Sequence, residues 1–346
     1  MPRILVPIAV IIAPQPAAAA DFALFGPTFA AAKADGATRQ AVIARARAAL
    51  TRPPGAIPQL HTEGTLPGKG IREISLIAKR DQPIVLDLAM AWRLTGDRAF
   101  LDQAGRYLDA WASIYQQSYN PIDETGFDTL IMATDLTAAD LPADVAARLR
   151  SFWRNMAQGY LDAMDDPLLG HANTNWQSHR IKLATMAAFA TGDATLIARA
   201  RAAYRKQIAV NLRPDGSTFD FEERDALHYV TYDLDPLLMA ALAAKAHGED
   251  WYRWRAPTGA SLPKSVAWLA DFARGTKTHV EFAKSKVQFD RDRAGAGQAE
   301  YAPHLWTPEA ATETDTLAAF FDPAYRGLAA KLAAGKRGPA DWMTLF

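Results

Sequence analysis

Two stretches of this sequence, Leu94-Thr95-Gly96-Asp97 and Ala190-Thr191-Gly192-Asp193, set the same three residues between segments of helical periodicity. Glycine after a helix can take the left-handed conformation that ends it, and the aspartate that follows can accept from the first N–H groups of the next. So short a connection returns the chain antiparallel to itself. Apolar residues recur at helical spacing over Thr38–Leu50, which Pro53-Pro54 stops, and over Ile84–Leu94, Arg98–Tyr115, Thr129–Leu136 and Val145–Met164. The pattern continues over Trp176–Ala190, Ala194–Val210, Ala226–Ala246 and Leu262–Phe272. Consecutive hairpins of roughly fifty residues predict an all-α fold, an incomplete α/α toroid or barrel. Thr218–Phe221 is the one short strand candidate. Gly55–Arg72 reads as a loop over one face, and Asp290–Gln298 as a flexible or ligand-facing loop. No shift in composition divides residues 21–346, which are expected to form one domain.

The chain has 346 residues, with 38 Lys+Arg against 38 Asp+Glu and no cysteine. Disulfides, cysteine-ligated zinc and thiol catalysis are therefore excluded. Zero formal charge without a basic block gives no support to nucleic-acid or membrane-surface binding, so an acidic ligand needs a local basic pocket. At the N-terminus, Arg3 precedes an apolar run from Ile4 to Ala13, and Pro14-Gln15-Pro16 leads into Ala17–Ala20. That order describes a secretory signal peptide over residues 1–20, cleaved before Asp21. The run is about half the length of a membrane span, so a periplasmic or secreted protein with no membrane anchor after cleavage is expected.

The most informative stretch is Asp215–Ala240, DGSTFDFEERDALHYVTYDLDPLLMA. With a helix running from Arg224, ~100° per residue puts Leu227, Val230, Leu234, Leu237 and Leu238 on one stripe. Arg224, His228 and Tyr232 fall on a second, with Tyr229 between the two. A cation, an imidazole and a phenol on an otherwise apolar helix point to a cleft, and positive charge beside a phenol stabilises its phenolate. A second cluster is His171-Ala-Asn173-Thr-Asn175-Trp176-Gln-Ser-His179-Arg180. Asn175 and His179 are one turn apart and can face one ligand. Asn173 is a helix cap or a ligand contact, and Trp176 is core or a sugar platform. HExxH, a phosphate-binding glycine loop and GxSxG are absent. His179 and His228 have no carboxylate at convincing ligand spacing, so no metal is expected. Asp123, Asp128, Glu222 and Glu223 supply carboxylates for glycoside hydrolysis, but no spacing singles out a pair.

RDALHYVTYDLDPLLMA resembles the Arg-x-x-Leu-His-Tyr-x-x-Tyr helix of the alginate lyase superfamily, and NTNW resembles its Asn-Asn-(His/Trp) motif. The Thr-Gly-Asp hairpins and Lys79 in ISLIAKRDQP are similar to it as well. The resemblance spans roughly Arg72–Ala246 and is closer to polysaccharide lyase family 38 than to family 5. It implies an incomplete α/α toroid that cleaves an anionic uronic-acid polysaccharide by β-elimination, with no cofactor. Tyr232 matches the family's catalytic tyrosine, Arg224 its active-site arginine, and Asn175 or Asn173 its carboxylate-binding asparagine. One departure stands out: no histidine directly follows the asparagines, and His179 or His228 is left to substitute.

The chemistry fits those residue types. The C5 proton of a uronate is weakly acidic while the neighbouring carboxylate is ionised, and asparagine, arginine and protonated histidine can hold that carboxylate and the enolate-like charge. Tyr232 is expected to donate to O4, and also to take the C5 proton if both events share one face of the sugar; otherwise His179 or His228 is the base. Lys79 and Arg180 are candidates for neighbouring subsites. The alternatives are an α/α-toroid glycoside hydrolase and a non-catalytic polysaccharide-binding toroid. The lean toward β-linked mannuronate or glucuronate polymers follows the resemblance alone.

Overall fold

The structure is a computed structural model that describes residues 21–26, 36–335 and 338–345. The signal peptide read over residues 1–20 lies outside the described residues. The main helices are α1 (Gly36–Ala49), α2 (Arg72–Ala78), α3 (Asp81–Thr95), α4 (Arg98–Ile114), α5 (Phe127–Thr137), α6 (Ala143–Asp165), α7 (Asn175–Thr191) and α8 (Ala194–Val210). They continue as α9 (Phe219–Arg224), α10 (Leu227–Ala246), α11 (Leu262–Ala273), α12 (Gln288–Gly295), α13 (Thr312–Ala319), α14 (Arg326–Ala333) and α15 (Asp341–Leu345). The expected all-α architecture is what the chain forms. Among the described residues the one sheet is a two-residue antiparallel ladder, β1 (Val280–Glu281) with β2 (His304–Leu305). No described helix is long and apolar enough to cross a membrane.

Both Thr-Gly-Asp connections work as read. Gly96 and Gly192 adopt φ of 72° and 63°, Asp97 accepts from Ala99 N at 3.0 Å, and Asp193 accepts from Thr195 N and Leu196 N at 3.0 and 3.1 Å. The hairpins α3–α4 and α7–α8 follow. Helices α3, α5, α7, α10 and α13 pack in succession as an inner row, backed by α1, α4, α6, α8 and α11. Sequence separates the two rows. Every residue from Gln177 to Phe189 of α7 is buried, whereas α8 buries only a stripe of Leu196, Ala200, Tyr204, Gln207 and Ile208.

Several local expectations are corrected. Helix α1 begins at Gly36, two residues ahead of the segment read from Thr38. Thr218 makes a single bridge to Leu212 and no strand, because its hydroxyl caps α9 by accepting from Phe221 N at 3.2 Å. Asp290–Gln298 is largely the helix α12, anchored by a buried Asp290 that accepts from Ser285 Oγ at 2.7 Å and Arg224 Nη1 at 2.5 Å. Arg224 does not share a helix with His228 and Tyr232. Asp225 takes a left-handed φ of 52° and ends α9, Ala226 is extended, and α10 starts afresh at Leu227. The Phe282 N–H and His279 Nε2 both reach the Asp225 carbonyl, at 2.8 and 2.9 Å, and hold that kink.

Candidate active site

One end of the inner row opens into a cleft of about 550 Å³, where five chain segments meet. Glu63 and Gly64 come from the long loop before α2, and Ile122 from the α4–α5 connection. His171, Asn175 and Trp176 lead into α7, and Arg224, His228, Tyr229 and Tyr232 straddle the α9–α10 break. Val287, Phe289, Arg293 and Tyr301 close the far side. Arg224, Asn175, His228, Tyr229, Tyr232 and Trp176 are thus brought together as the sequence predicted. The helix break preserves the cluster by folding Arg224 back over α10.

That fold-back changes which phenol the arginine serves. Arg224 Nη1 donates to the Tyr229 hydroxyl at 2.5 Å, and Arg293 Nη1 donates to the same oxygen at 3.1 Å. The Arg224 guanidinium also lies 4.0 Å from the centre of the Tyr229 ring. Burial raises the Tyr229 pKa, and both guanidiniums oppose it. Tyr232, one turn on, also has its pKa raised by burial; Tyr301 adds to that rise, while Arg293 acts against it. The expectation that Arg224 stacks beside Tyr232 is corrected accordingly: Tyr229 is the phenol the cations address.

Asn175 begins α7, with the hydroxyl of Thr174 as the cap in place of Asn173. Its N–H and its Nδ2 both donate to Asp220, at 2.8 and 2.5 Å, and Asn211 Nδ2 donates to the same carboxylate at 3.0 Å. Burial raises Asp220 to about 6, against the pull of those bonds. Asn173 is bound through its backbone, its carbonyl accepting from Asn211 Nδ2 at 3.1 Å, and is not among the lining residues.

The histidines divide by place. His228 is exposed, but into the cleft, and its enclosure there, with Arg224 and Arg293 adding to the effect, pushes its pKa down to about 4. His171 stands at φ 60° with its ring stacked on Trp176, 4.7 Å between centroids, and burial followed by the charge of Arg180 lowers its pKa. It belongs to the cleft, a role not read from sequence, for which its place in the polar cluster just ahead of α7 is the available signal. His179 does not line the cleft. It is buried behind Tyr232, 4.2 Å from that ring, with Nδ1 2.7 Å from Thr125 Oγ1, and burial holds it well below the usual histidine range. A ring so placed cannot reach a sugar.

The two subsite candidates are corrected as well. Arg180 is buried and turned toward the carbonyls of Gly170 and His171, at 3.2 and 3.5 Å, where it steadies the turn that presents His171. Lys79 donates to Thr62 Oγ1 at 2.8 Å and Ile122 O at 3.4 Å, clasping two cleft loops to each other. The carboxylates considered for hydrolysis are otherwise engaged. Asp123 accepts from the backbone of Thr62 and Glu63, Asp128 pairs with Lys182, Glu222 with Arg213 and Glu223 with Lys286. Glu63 is the only carboxylate residue lining the cleft among the described residues, which leaves a two-carboxylate hydrolase without its second group. Sequence reasoning does not single out Arg293, although it lies in the Asp290–Gln298 segment read as flexible or ligand-facing; the docking of α12 brings it to Tyr229.

A helical toroid with a tyrosine, arginine, asparagine and histidine cleft at one end is the architecture of a polysaccharide lyase. The sequence matches the Alginate lyase family model over residues 28–279, and the chain belongs to that family. Its fold is similar to that of an alginate lyase from Bacteroides ovatus, with a TM-score of 0.65 and 16% identity over 89% of this chain and 93% of that one. It is also similar to alginate lyase A1-III from Sphingomonas species A1, with a TM-score of 0.55 and 18% identity over 75% and 81% of the two chains. A histidine-to-alanine variant of A1-III complexed with tetrasaccharide gives a TM-score of 0.54 and 20% identity over 71% and 79%. No curated protein matches the sequence.

Proposed function

We propose that this lyase cleaves a β-linked mannuronate or glucuronate polymer by β-elimination, with Tyr229 moving the proton. The convergence of Arg224 and Arg293 on the Tyr229 hydroxyl carries this reading. Burial keeps the resting Tyr229 phenol protonated, and the two guanidinium N–H groups aimed at its oxygen oppose that effect and stabilise the phenolate through which it acts as base. The phenolate takes the C5 proton, the C4–O4 bond breaks, and the same hydroxyl returns the proton to the departing O4. One group serving both steps requires that both occur on one face of the sugar.

The developing charge needs donors on the carboxylate side. The second N–H of Asn175 Nδ2, with the first bound to Asp220, is aimed by that bond, and Arg224 adds its charge. His228 and His171 are neutral near pH 7 and serve as hydrogen-bonding groups along the cleft wall, not as counter-ions. Tyr232 contacts the sugar from the next turn, and Trp176 with its stacked His171 offers a flat face to a neighbouring residue of the polymer. Placement in polysaccharide lyase family 38 and export through the leader-like residues 1–20 complete the proposal; both rest on the sequence. Incubation with a panel of mannuronan, guluronan and glucuronan tests it. Ultraviolet absorbance from an unsaturated uronate is expected with mannuronan or glucuronan, insensitive to EDTA. Saturated reducing ends, or no product with any uronan, would overturn it.

A further inference from the structure

Helix α10 contains Pro236, which has no N–H to offer the Tyr232 carbonyl four residues earlier. The His179 ring packs against this turn, and the Tyr232 carbonyl is the backbone acceptor that favours a proton on it. On the other side of the ring lies Lys182, one turn further along α7. Its ammonium has three protons and three acceptors: Thr125 O at 2.8 Å, Thr125 Oγ1 at 3.1 Å and Asp128 Oδ2 at 2.5 Å. Thr125 Oγ1 accepts from Lys182 and lies 2.7 Å from His179 Nδ1, to which its own proton can be given. With Nδ1 an acceptor, the neutral ring carries its proton on Nε2. That nitrogen is buried and has no formed hydrogen bond; the Tyr232 carbonyl, which favours a proton on the ring, is the backbone acceptor beside it.

We propose that Asp128, Lys182, Thr125 and His179 form a positioning chain that fixes the Nε2–H tautomer of His179 against the Tyr232 carbonyl. The chain thereby sets the first turns of α10, which carry His228, Tyr229 and Tyr232 into the cleft. His179 is a positioning residue in this arrangement, its one free nitrogen turned to backbone and its other closed by Thr125. The charged and titratable groups around it come from each packed element: Lys182 on α7, Asp128 on α5 and Tyr232 on α10. The kinetic consequence rests on the lyase reading; the tautomer does not.

Nitrogen-15 NMR of the imidazoles in the full protein reads the tautomer directly, with the His179 signals assigned by their loss in His179→Gln. A bare Nδ1 and a protonated Nε2 are expected, and a proton on Nδ1 overturns the chain. Thr125→Val removes the hydroxyl donor and is expected to mix the two tautomers and lower kcat about tenfold, with KM within about twofold. Thr125→Ser, which keeps the hydroxyl, is expected to restore both. A wild-type kcat in Thr125→Val overturns the positioning role. If Thr125→Val does not fold, the wild-type spectrum decides. If the wild-type protein cleaves no uronan, the lyase reading fails while the spectrum still judges the chain.

Discussion

Arg224 Nη1 lies 2.5 Å from the Tyr229 hydroxyl, although Arg224 ends one helix and Tyr229 stands in the first turn of the next. The left-handed Asp225 between them makes the contact possible, since on a continuous helix residues five apart point to different sides. Asp290 receives the same guanidinium nitrogen at 2.5 Å, so the arginine is held from behind while it faces the phenol. The break in the helix is thus part of the site.

It follows that the two cleft tyrosines differ in consequence. Tyr229→Phe keeps the ring and its packing while removing the transferred proton, and is expected to lower kcat about a thousandfold with oligosaccharide binding retained. Tyr232→Phe is expected to lower it by about tenfold or less. Steady-state kinetics on the preferred uronan, followed by ultraviolet absorbance, compares them. The reverse ranking would return the proton transfer to Tyr232.

Asp220 makes the cleft sensitive to acid. Above about pH 6 its carboxylate is ionised and accepts from Asn175 and Asn211; below that value a proton occupies one oxygen and the grip on Asn175 loosens. The kcat/KM profile is therefore expected to fall on the acid side with a limb near 6, and Asp220→Asn is expected to lose that limb and run slower at neutral pH. The stability contribution has the opposite sign. Burial raises this group's pKa in the folded state, so its contribution is full below the unfolded value near 3.8 and is lost as pH rises through about 6. An acid limb unchanged in Asp220→Asn would assign it to another group.

The toroid was legible because its signals are local. A glycine that must turn left-handed and an aspartate that must cap lie within three residues, and helical periodicity spans whole elements. The cleft's membership was legible for the same reason, since His228, Tyr229 and Tyr232 share one stretch. What failed depends on distance. A stripe drawn from Arg224 assumes an unbroken helix, and one aspartate in a left-handed conformation removes that assumption. Arg293 and Tyr229 are 64 positions apart, beyond any local pattern. Burial separates His179 from His228, and an imidazole in the sequence looks the same in either place.

The hairpin reading has its own test. Gly96 stands at φ 72° with nothing within 4 Å of where a Cβ would sit, so Gly96→Ala is expected to cost about 1 kcal/mol from backbone strain alone. Asp97→Ala removes the cap on α4 and is expected to cost about 1 kcal/mol as well. Denaturant unfolding measures both. Neutral results would mean that packing between α3 and α4 sets their connection without help from its residues.

Pro236 separates stability from positioning. Replacing a proline inside a helix with alanine restores an N–H that can bond the carbonyl four residues back, here that of Tyr232. The new bond competes with the imidazole of His179 for the same oxygen and straightens the turn. Pro236→Ala is therefore expected to leave the melting temperature unchanged or higher, while kcat falls several-fold and the His179 nitrogen-15 signals move. A generic packing defect gives another pattern, with stability and activity falling together. A variant that is more stable and fully active would show that the first turns of α10 do not need the carbonyl left free by the proline.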